Sequence, residues 1–239
     1  MGQMVPGRME PQQWSQPGPD DMRKMAVVTA WKDAGDVVVC EGEAAGSYLA
    51  IKQTGRNPAR PALDRYRRTF IWVKGSYLLV LDDIKAPEPV DITWLMKAPQ
   101  LTRKGTKDLN FELKHPDASC GMQINQIGNV DLNPVIGKST AKDKKKGELE
   151  WQQLQLKGHT NALKLATLMT PWGGDLKVST KTAADGSVQI MVNGGKINDT
   201  WQWTPERGKF EPSSLKGTRK DGFSVQVGTT DKVVIAGNK

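Results

Sequence analysis

Apolar and polar residues along the chain recur in short runs that fit β-strands better than helices. The clearest example is Asp64–Ile84, where two apolar runs, Thr69–Val73 and Tyr77–Ile84, are separated by Lys74-Gly75-Ser76. Both runs are rich in β-branched, aromatic and leucine side chains, and a short glycine-containing break between such runs predicts a β-hairpin. Apolar groups stand on both faces of this hairpin. We therefore expect it in the middle of a sheet, covered on both sides.

Further strand signals follow at intervals of about ten residues, a spacing typical of β-sandwiches. They are Ala26–Trp31, Val37–Cys40, Ser47–Lys52, Val90–Met96, Leu109–Leu113, Met122–Ile127, Trp151–Lys157, Leu163–Met169, Ser179–Val192, Asn198–Trp203, Phe223–Val227 and Lys232–Ala236. Asp185-Gly186 marks a hairpin turn, whereas Gly128–Glu150 is polar and turn-rich and predicts a surface loop. Almost no segment shows the periodicity of an amphipathic helix. The pattern predicts an all-β fold, an antiparallel β-sandwich that forms one domain over residues 25–239.

The first residues differ from the rest. Met1–Lys24 contains Arg8 but no apolar core, so it does not have the pattern of a signal peptide. Its proline, glycine and glutamine content predicts an extended or disordered leader. No apolar run in the chain approaches the ~20 residues of a membrane-spanning helix.

Composition adds a charge preference. The 239 residues carry a net charge of +8, with a pI near 9.4, which favours polyanionic partners such as acidic glycans, nucleic acid or anionic membranes. The densest basic run, Lys142-Asp143-Lys144-Lys145-Lys146, lies in a polar segment and is interpreted as a solvated loop rather than a dedicated anion site. A nucleic-acid role rests on charge alone, since the sequence offers no evident aromatic-plus-basic stripe, and we expect no nucleic-acid partner.

Few residues suggest catalysis or metal binding. His115 and His159 are the only histidines, and each is more simply an edge residue than a metal ligand or base. No zinc, nucleotide-binding or serine-hydrolase motif is present, and we expect no cofactor. Cys40 and Cys120 lie 80 positions apart and suit two buried free thiols, with a disulfide as the alternative in an oxidising compartment.

The tryptophans divide into two groups. Trp31, Trp72 and Trp94 lie in apolar strands and are predicted core residues, whereas Trp151, Trp172, Trp201 and Trp203 have polar neighbours. The last two share one strand face. They are either an exposed aromatic pair that stacks on sugar rings, or side chains packed against a second sheet.

A resemblance to a known family enters at the central hairpin. Arg67, Arg68, Gly75, Tyr77 and Asp82 occur in the order found in the C-terminal β-sandwich of heparinase II/III-type polysaccharide lyases, a supersandwich-like fold. The upstream residues 37–48 resemble the usual approach to that hairpin. The resemblance covers residues 25–100 with useful specificity, and the rest of the chain only by its richness in strands.

The resemblance implies a glycan-related function but supplies no catalytic residue. β-Elimination needs a base, a group that neutralises the uronate carboxylate, and an acid for the leaving oxygen. In the family these come mainly from an upstream helical toroid, after which this chain is expected to begin, and Met96-Lys97 stands where a family histidine often lies. The resemblance also implies a periplasmic or secreted protein, and this chain is expected to be either a fragment of a longer protein or an incomplete gene product.

The hairpin residues themselves are expected to be structural. Asp82 or Asp83 should pair with Arg67 or Arg68, with only one carboxylate facing the core, because a buried carboxylate needs a partner. Tyr77 should pack with its hydroxyl hydrogen-bonded.

Three hypotheses follow. The first is a non-catalytic sandwich module that supports or extends the acidic-glycan cleft of a helical toroid domain. The second is a free-standing module that binds acidic polysaccharide, with Trp201 and Trp203 as the glycan-binding residues. The third is an active lyase that uses His115 or His159 with a tyrosine.

Overall fold

The structure, a computed structural model, describes residues 26–48, 62–106, 108–143, 147–171, 174–205, 211–228 and 231. These residues form fourteen antiparallel strands and one short 3-10 helix, Ala45–Ser47. The strands are β1 Val27–Asp33, β2 Val37–Glu43, β3 Arg65–Val73, β4 Tyr77–Ala98, β5 Gln100–Arg103, β6 Leu109–His115, β7 Ala118–Ile127, β8 Asn133–Asp143, β9 Gly147–Pro171, β10 Lys177–Thr182, β11 Val188–Gly194, β12 Ile197–Thr204, β13 Ser214–Thr218 and β14 Ser224–Val227. The predicted all-β antiparallel sandwich is confirmed.

Several predictions fall on residues that the structure does not describe. The predicted leader Met1–Lys24, the strand Lys232–Ala236 and Trp172 lie outside the described residues, as does most of the predicted strand Ser47–Lys52. Ser47 itself ends the 3-10 helix instead of starting a strand.

The strands form two sheets. The first has nine strands in the order β1-β2-β3-β4-β9-β7-β6-β5, with β8 paired to β9, and the second has five strands in the order β10-β11-β12-β13-β14. We call the face of the first sheet that packs on the second sheet its inner face, and the opposite one its outer face. Alternate residues of β3, from Arg67 to Val73, point inward, and those from Tyr66 to Trp72 point outward. The inner core is built from such alternate apolar positions of both sheets.

Two strands are much longer than the sequence predicts. β4 runs through the predicted hairpin strand and the predicted strand Val90–Met96, while β9 joins Trp151–Lys157 to Leu163–Met169. The two pair along their whole length, with one irregularity between Lys85 and Val90. The breaks expected from the sequence are therefore local irregularities within continuous strands.

The irregularity divides the β4–β9 pair into a near half, next to the β3–β4 turn, and a far half, which begins at Val90 in β4. The far halves of both strands help to build a second core on the outer face. This core joins Ile92, Trp94, Leu154 and Leu156 from the far halves to side chains of the near halves and of β5–β7. The outer face of the first sheet is therefore covered over β4, β9, β7 and β6.

The structure corrects the prediction of a surface loop over Gly128–Glu150. This segment is not a surface loop throughout, because β8 occupies Asn133–Asp143 and pairs with β9. Polar residues at strand positions are tolerated here because β8 pairs with a single neighbour. Lys142 and Asp143 of the basic run are thus strand residues, and residues 144–146 lie outside the described part.

The turns behave as predicted. Gly75 in the β3–β4 turn and Gly186 in the β10–β11 turn both have positive φ, at 73° and 80°, which glycine adopts without strain. No helix among the described residues has the length and hydrophobicity needed to cross a membrane.

Candidate functional site

A buried aspartate organises the outer face of the hairpin. Asp82 accepts hydrogen bonds from Nε and Nη2 of Arg68, at 2.7 and 3.2 Å, and from Nε1 of Trp94 at 2.9 Å. Arg68 and Asp82 lie directly opposite each other on β3 and β4. A bidentate, charge-assisted pair of this kind is strong and fixes the orientation of the guanidinium. The predicted pairing of Asp82 with an arginine is confirmed, with Arg68 as the partner.

Two tyrosines lie beside this pair. The guanidinium of Arg68 is 5.8 Å from the centroid of the Tyr66 ring, and Tyr66 meets Tyr48 edge to face at 5.3 Å. Burial, followed by the charge of Asp82, raises the pKa of Tyr66 well above its usual value, and burial likewise raises the pKa of Tyr48. Both phenols are neutral at physiological pH, so neither is poised to accept a proton.

Exposed aromatic rings continue the outer face of β3. Its outward positions are Tyr66, Arg68, Phe70 and Trp72, and Lys74 follows in the turn with Nζ 5.9 Å from the centroid of the Trp72 ring. We call these five residues the β3 stripe. Phe70 is 39% exposed and Trp72 is 50% exposed. The stripe therefore combines three aromatic rings with two cationic groups.

Strand β1 adds apolar surface beside the β3 stripe. Trp31 is 55% exposed and Val28 is 45% exposed. Trp31 lies opposite Cys40, which in turn lies opposite Phe70. Because neighbouring strands are about 4.8 Å apart, Trp31 stands about 10 Å to the side of the stripe.

Two predictions are corrected by this surface. Trp31 and Trp72 are not core residues, because the described part of the chain leaves the outer face of β1–β3 open. For the same reason the hairpin is not covered on both sides near Trp72. Trp94 is buried as predicted.

The carboxylate next to Asp82 is buried as well. Asp83 points the opposite way and pairs with Arg65, whose Nη2 lies 3.2 Å from Oδ1 of Asp83. The prediction that only one of the two aspartates faces a core is wrong, because this part of the first sheet is covered on both faces. Each carboxylate has an arginine partner on its own side.

Arg67 has a structural position on the inner face. Its Nη1 donates to the carbonyl oxygen of Pro205 at 2.9 Å, and its Nε lies 3.7 and 3.8 Å from Glu41 and Glu43. Glu41 also accepts a hydrogen bond from the backbone N of Ser213 at 2.9 Å. This fully buried group ties β2 and β3 to the residues on either side of the β12–β13 connection.

Tyr77 joins the two sheets. Its hydroxyl donates to Asp199 at 2.7 Å and accepts a hydrogen bond from Nε1 of Trp201 at 3.0 Å, while Nε of Arg219 lies 3.6 Å from the same Asp199 oxygen. Burial, followed by the hydrogen bond to Asp199, raises the pKa of Tyr77 well above its usual value. The predicted packing of Tyr77 with a bonded hydroxyl is confirmed.

Trp201 and Trp203 follow the second of the two alternatives drawn from the sequence. Both are 0% exposed and belong to the inner core, because β12 is the central strand of its sheet and these alternate positions face the first sheet. A ring stacks on a sugar only with an open face. The interpretation of this pair as an exposed glycan platform is therefore corrected.

The remaining reactive residues are dispersed. His159 lies 2.9 Å from Asp91 and His115 lies 3.7 Å from Asp117, both as exposed edge pairs. Cys40 and Cys120 are free, partly buried thiols in β2 and β7. No cluster of three histidine, cysteine, aspartate or glutamate side chains suited to a metal ion occurs among the described residues.

Two depressions at the edge of the sandwich offer polar linings. Their volumes are about 390 and 220 Å³, and both are lined by Asn110 and Gln123. Gln123 already accepts a hydrogen bond from the backbone of Val178 across the sheets, and Asp108 and Asp131 line the larger depression.

The fold is similar to one part of several solved heparinase structures. The chain is similar to a heparinase III (the BT4657 gene product), with 14% identity and a TM-score of 0.53 over 71% of this chain and 26% of that one. A second crystal structure of heparinase III gives 14% identity and a TM-score of 0.53, covering 74% of this chain and 27% of that one. The heparan sulfate lyase HepC from Pedobacter heparinus has 17% identity and a TM-score of 0.49, covering 71% of this chain and 26% of that one.

The two likenesses to heparinase III establish the fold. No family model and no curated protein matches the sequence. The chain spans about a quarter of the length of the solved structures that it resembles. The sandwich expected from the hairpin residues is therefore confirmed as a fold, and it corresponds to one part of those larger chains.

The exposure of the β3 stripe is the feature that sequence reasoning missed. Apolar groups on both faces of the hairpin predict a covering on both sides, yet apolar residues on a face do not by themselves reveal a covering layer. The available signal is the order Tyr66, Arg68, Phe70 and Trp72, which places a cation among aromatic rings on one face, but charge alone does not indicate an open face because Arg67 is fully buried on the other. This order of residues also argues against the prediction that the sequence has no aromatic-plus-basic stripe.

Proposed function

We propose that this chain is a β-sandwich module of a polysaccharide-lyase-like protein that binds acidic, uronate-containing glycans without cleaving them. The observation that carries the proposal is the heparinase III fold, found over 71% of this chain but 26% of the neighbour. The proposal includes a helical toroid domain as a partner, whose cleft the module supports or extends, and a periplasmic or secreted location.

The dispersal of reactive groups supports a non-catalytic role. β-Elimination needs a proton acceptor, a carboxylate-neutralising group and a proton donor around one sugar. Each histidine has an aspartate as its side-chain partner and lies on an exposed edge. The three tyrosines all have raised pKa values and are poor bases at neutral pH.

The second candidate is a free-standing module that binds acidic polysaccharide. The open β3 stripe favours it, since a binding surface on the module itself requires no second domain. Both candidates predict glycan affinity in the isolated chain, and they differ in whether a toroid domain shares the binding cleft.

The test is to incubate the purified chain with heparin, heparan sulfate, alginate and an uncharged glucan. We expect no absorbance from unsaturated uronate on any polymer, and retention on immobilised heparin or alginate that survives moderate salt. Uronate unsaturation on any acidic polymer contradicts the non-catalytic assignment. Equal retention on the uncharged glucan contradicts the acidic-glycan assignment.

A further inference from the structure

We propose that the β3 stripe, together with Trp31, is the surface that binds the acidic polysaccharide. This inference rests on the proposed function and adds the site. It replaces the buried pair Trp201 and Trp203 with aromatic rings that are open to solvent.

The aromatic rings provide the apolar part of the surface. Three aromatic side chains on the outer face of the first sheet are between 39% and 55% exposed, namely Trp31, Phe70 and Trp72. The C–H face of a pyranose ring packs well on such rings, which are large and rigid. Their exposed area is roughly 200–350 Å², given the size of aromatic side chains.

Arg68 supplies a cation whose counter-charge is hidden. Asp82 is fully buried below it, while the Arg68 side chain is 32% exposed. Nε and Nη2 bond to Asp82, and Nη1 has no hydrogen-bond partner among the described residues. The pair therefore presents its positive end and free donors to solvent, where a carboxylate or sulfate can accept them.

Lys74 supplies a second cation at the far end of the stripe. Its Nζ lies 3.5 Å from Asp33 with both side chains substantially exposed, so this ion pair contributes little stability and exchanges readily for another anion. Trp72 lies six positions after Tyr66 along β3, so these two side chains are about 20 Å apart. A line of rings and cations of this length suits an extended, negatively charged sugar chain.

Other occupants fit the surface less well. A stable protein partner buries about 800 Å² per side, well above the exposed aromatic area here. Single-stranded nucleic acid is held in a positively charged groove, whereas the stripe lies on an open sheet face with only two cationic groups. The acidic polysaccharide is therefore the occupant that the charges and rings favour.

The test is isothermal titration of a heparin-derived oligosaccharide into the chain and its variants. Trp72→Ala and Trp31→Ala are each expected to weaken binding about tenfold or more, corresponding to ~1.4 kcal/mol. Lys74→Ala should reduce the slope of log affinity against log salt by roughly one, as for any lost anion contact. Leu95→Ala and Lys138→Ala are matched controls, since both residues are exposed but lie outside the stripe, and they should bind as the parent does.

A second measurement avoids the risk that a variant fails to fold. Acrylamide quenching of tryptophan fluorescence should fall on adding the oligosaccharide to the parent chain. The fall should be absent in the Trp31→Phe/Trp72→Phe double variant, provided that its thermal unfolding is cooperative.

The outcomes separate the two proposals. If the parent binds the oligosaccharide and every stripe variant binds equally well, the site assignment is wrong and the proposed function stands. If the parent does not bind any acidic glycan, both are wrong. The site assignment also fails if Trp72→Ala instead abolishes self-association, or if a single-stranded oligonucleotide displaces the oligosaccharide at equal charge concentration.

Discussion

At the scale of single residues, the main feature of the hairpin is a pair of buried carboxylates. Asp82 and Asp83 are adjacent, fully buried and oppositely directed, and each meets an arginine of the facing strand. The sequence indicated that a buried carboxylate needs a cationic partner and left the choice between Arg67 and Arg68 open, and the structure pairs Arg68 with Asp82. The predicted covering of the hairpin on both sides holds at Asp82 and Asp83 but not at Phe70 and Trp72.

Replacing Asp82 by asparagine tests this account of the outer face. Asp82→Asn removes the counter-charge of Arg68, and we expect a loss of about 2–3 kcal/mol in the free energy of unfolding, below the usual range for buried pairs because Arg68 reaches solvent. Urea denaturation measures it. Glu150→Gln, which breaks an exposed pair with Lys138, is the control and should change stability by less than about 0.5 kcal/mol. Equal effects in both variants would show that Asp82 is not a buried charge.

Tyr77 makes a prediction that depends on pH. Tyr77→Phe removes a donor to Asp199 and should cost about 1–3 kcal/mol at neutral pH. The folded state raises the pKa of Tyr77 above its ordinary value of 10.0. Its stabilising contribution is therefore complete below pH 10 and is lost as the pH rises further, when the unfolded chain releases the proton more readily. The gap between the parent and Tyr77→Phe should narrow above pH 10 in urea titrations, and a gap that is constant up to pH 11 contradicts this assignment.

At the scale of elements, strand positions and faces were largely predictable, whereas strand continuity was not. The period-2 pattern placed the β3–β4 hairpin and the β10–β11 turn correctly. Lys85-Ala86-Pro87-Glu88-Pro89 separates the predicted strands Tyr77–Ile84 and Val90–Met96, and proline is rare inside central strands. In the structure β4 runs through it, with a break in pairing to β9 between Lys85 and Val90.

The approach of β13 to β12 gives an element-scale prediction. A Cβ added to Gly217 would lie 2.1 Å from the ring of Trp201, which is a severe clash. The Trp201 side chain is fully buried. Gly217→Ala is therefore expected to destabilise the protein by about 1–3 kcal/mol or more, as overpacked cores do. Thermal unfolding monitored by circular dichroism measures the effect.

Gly137 in β8 provides the matched control for this prediction. A Cβ there meets nothing within 4 Å, so Gly137→Ala should leave the stability nearly unchanged. A stable Gly217→Ala variant would mean that the β12–β13 pair sits further from the first sheet than described.

At the scale of the whole molecule, the net charge of +8 and the open β3 stripe act at different ranges. The overall charge attracts any polyanion and is screened by salt, whereas ring stacking is insensitive to salt and depends on particular side chains. The sequence predicted the attraction. It placed the aromatic contact on Trp201 and Trp203, because local polar neighbours do not reveal that β12 is the centre of a covered sheet.

The central claim is that this two-sheet body binds an acidic polysaccharide and leaves it intact. The most direct test follows the length of a heparin chain and its retention by the protein in the same sample, at low and moderate salt. The account predicts that heparin co-elutes with the protein and keeps its original length after prolonged incubation. Shortened heparin with unsaturated ends, or heparin that elutes separately even at low salt, would contradict it.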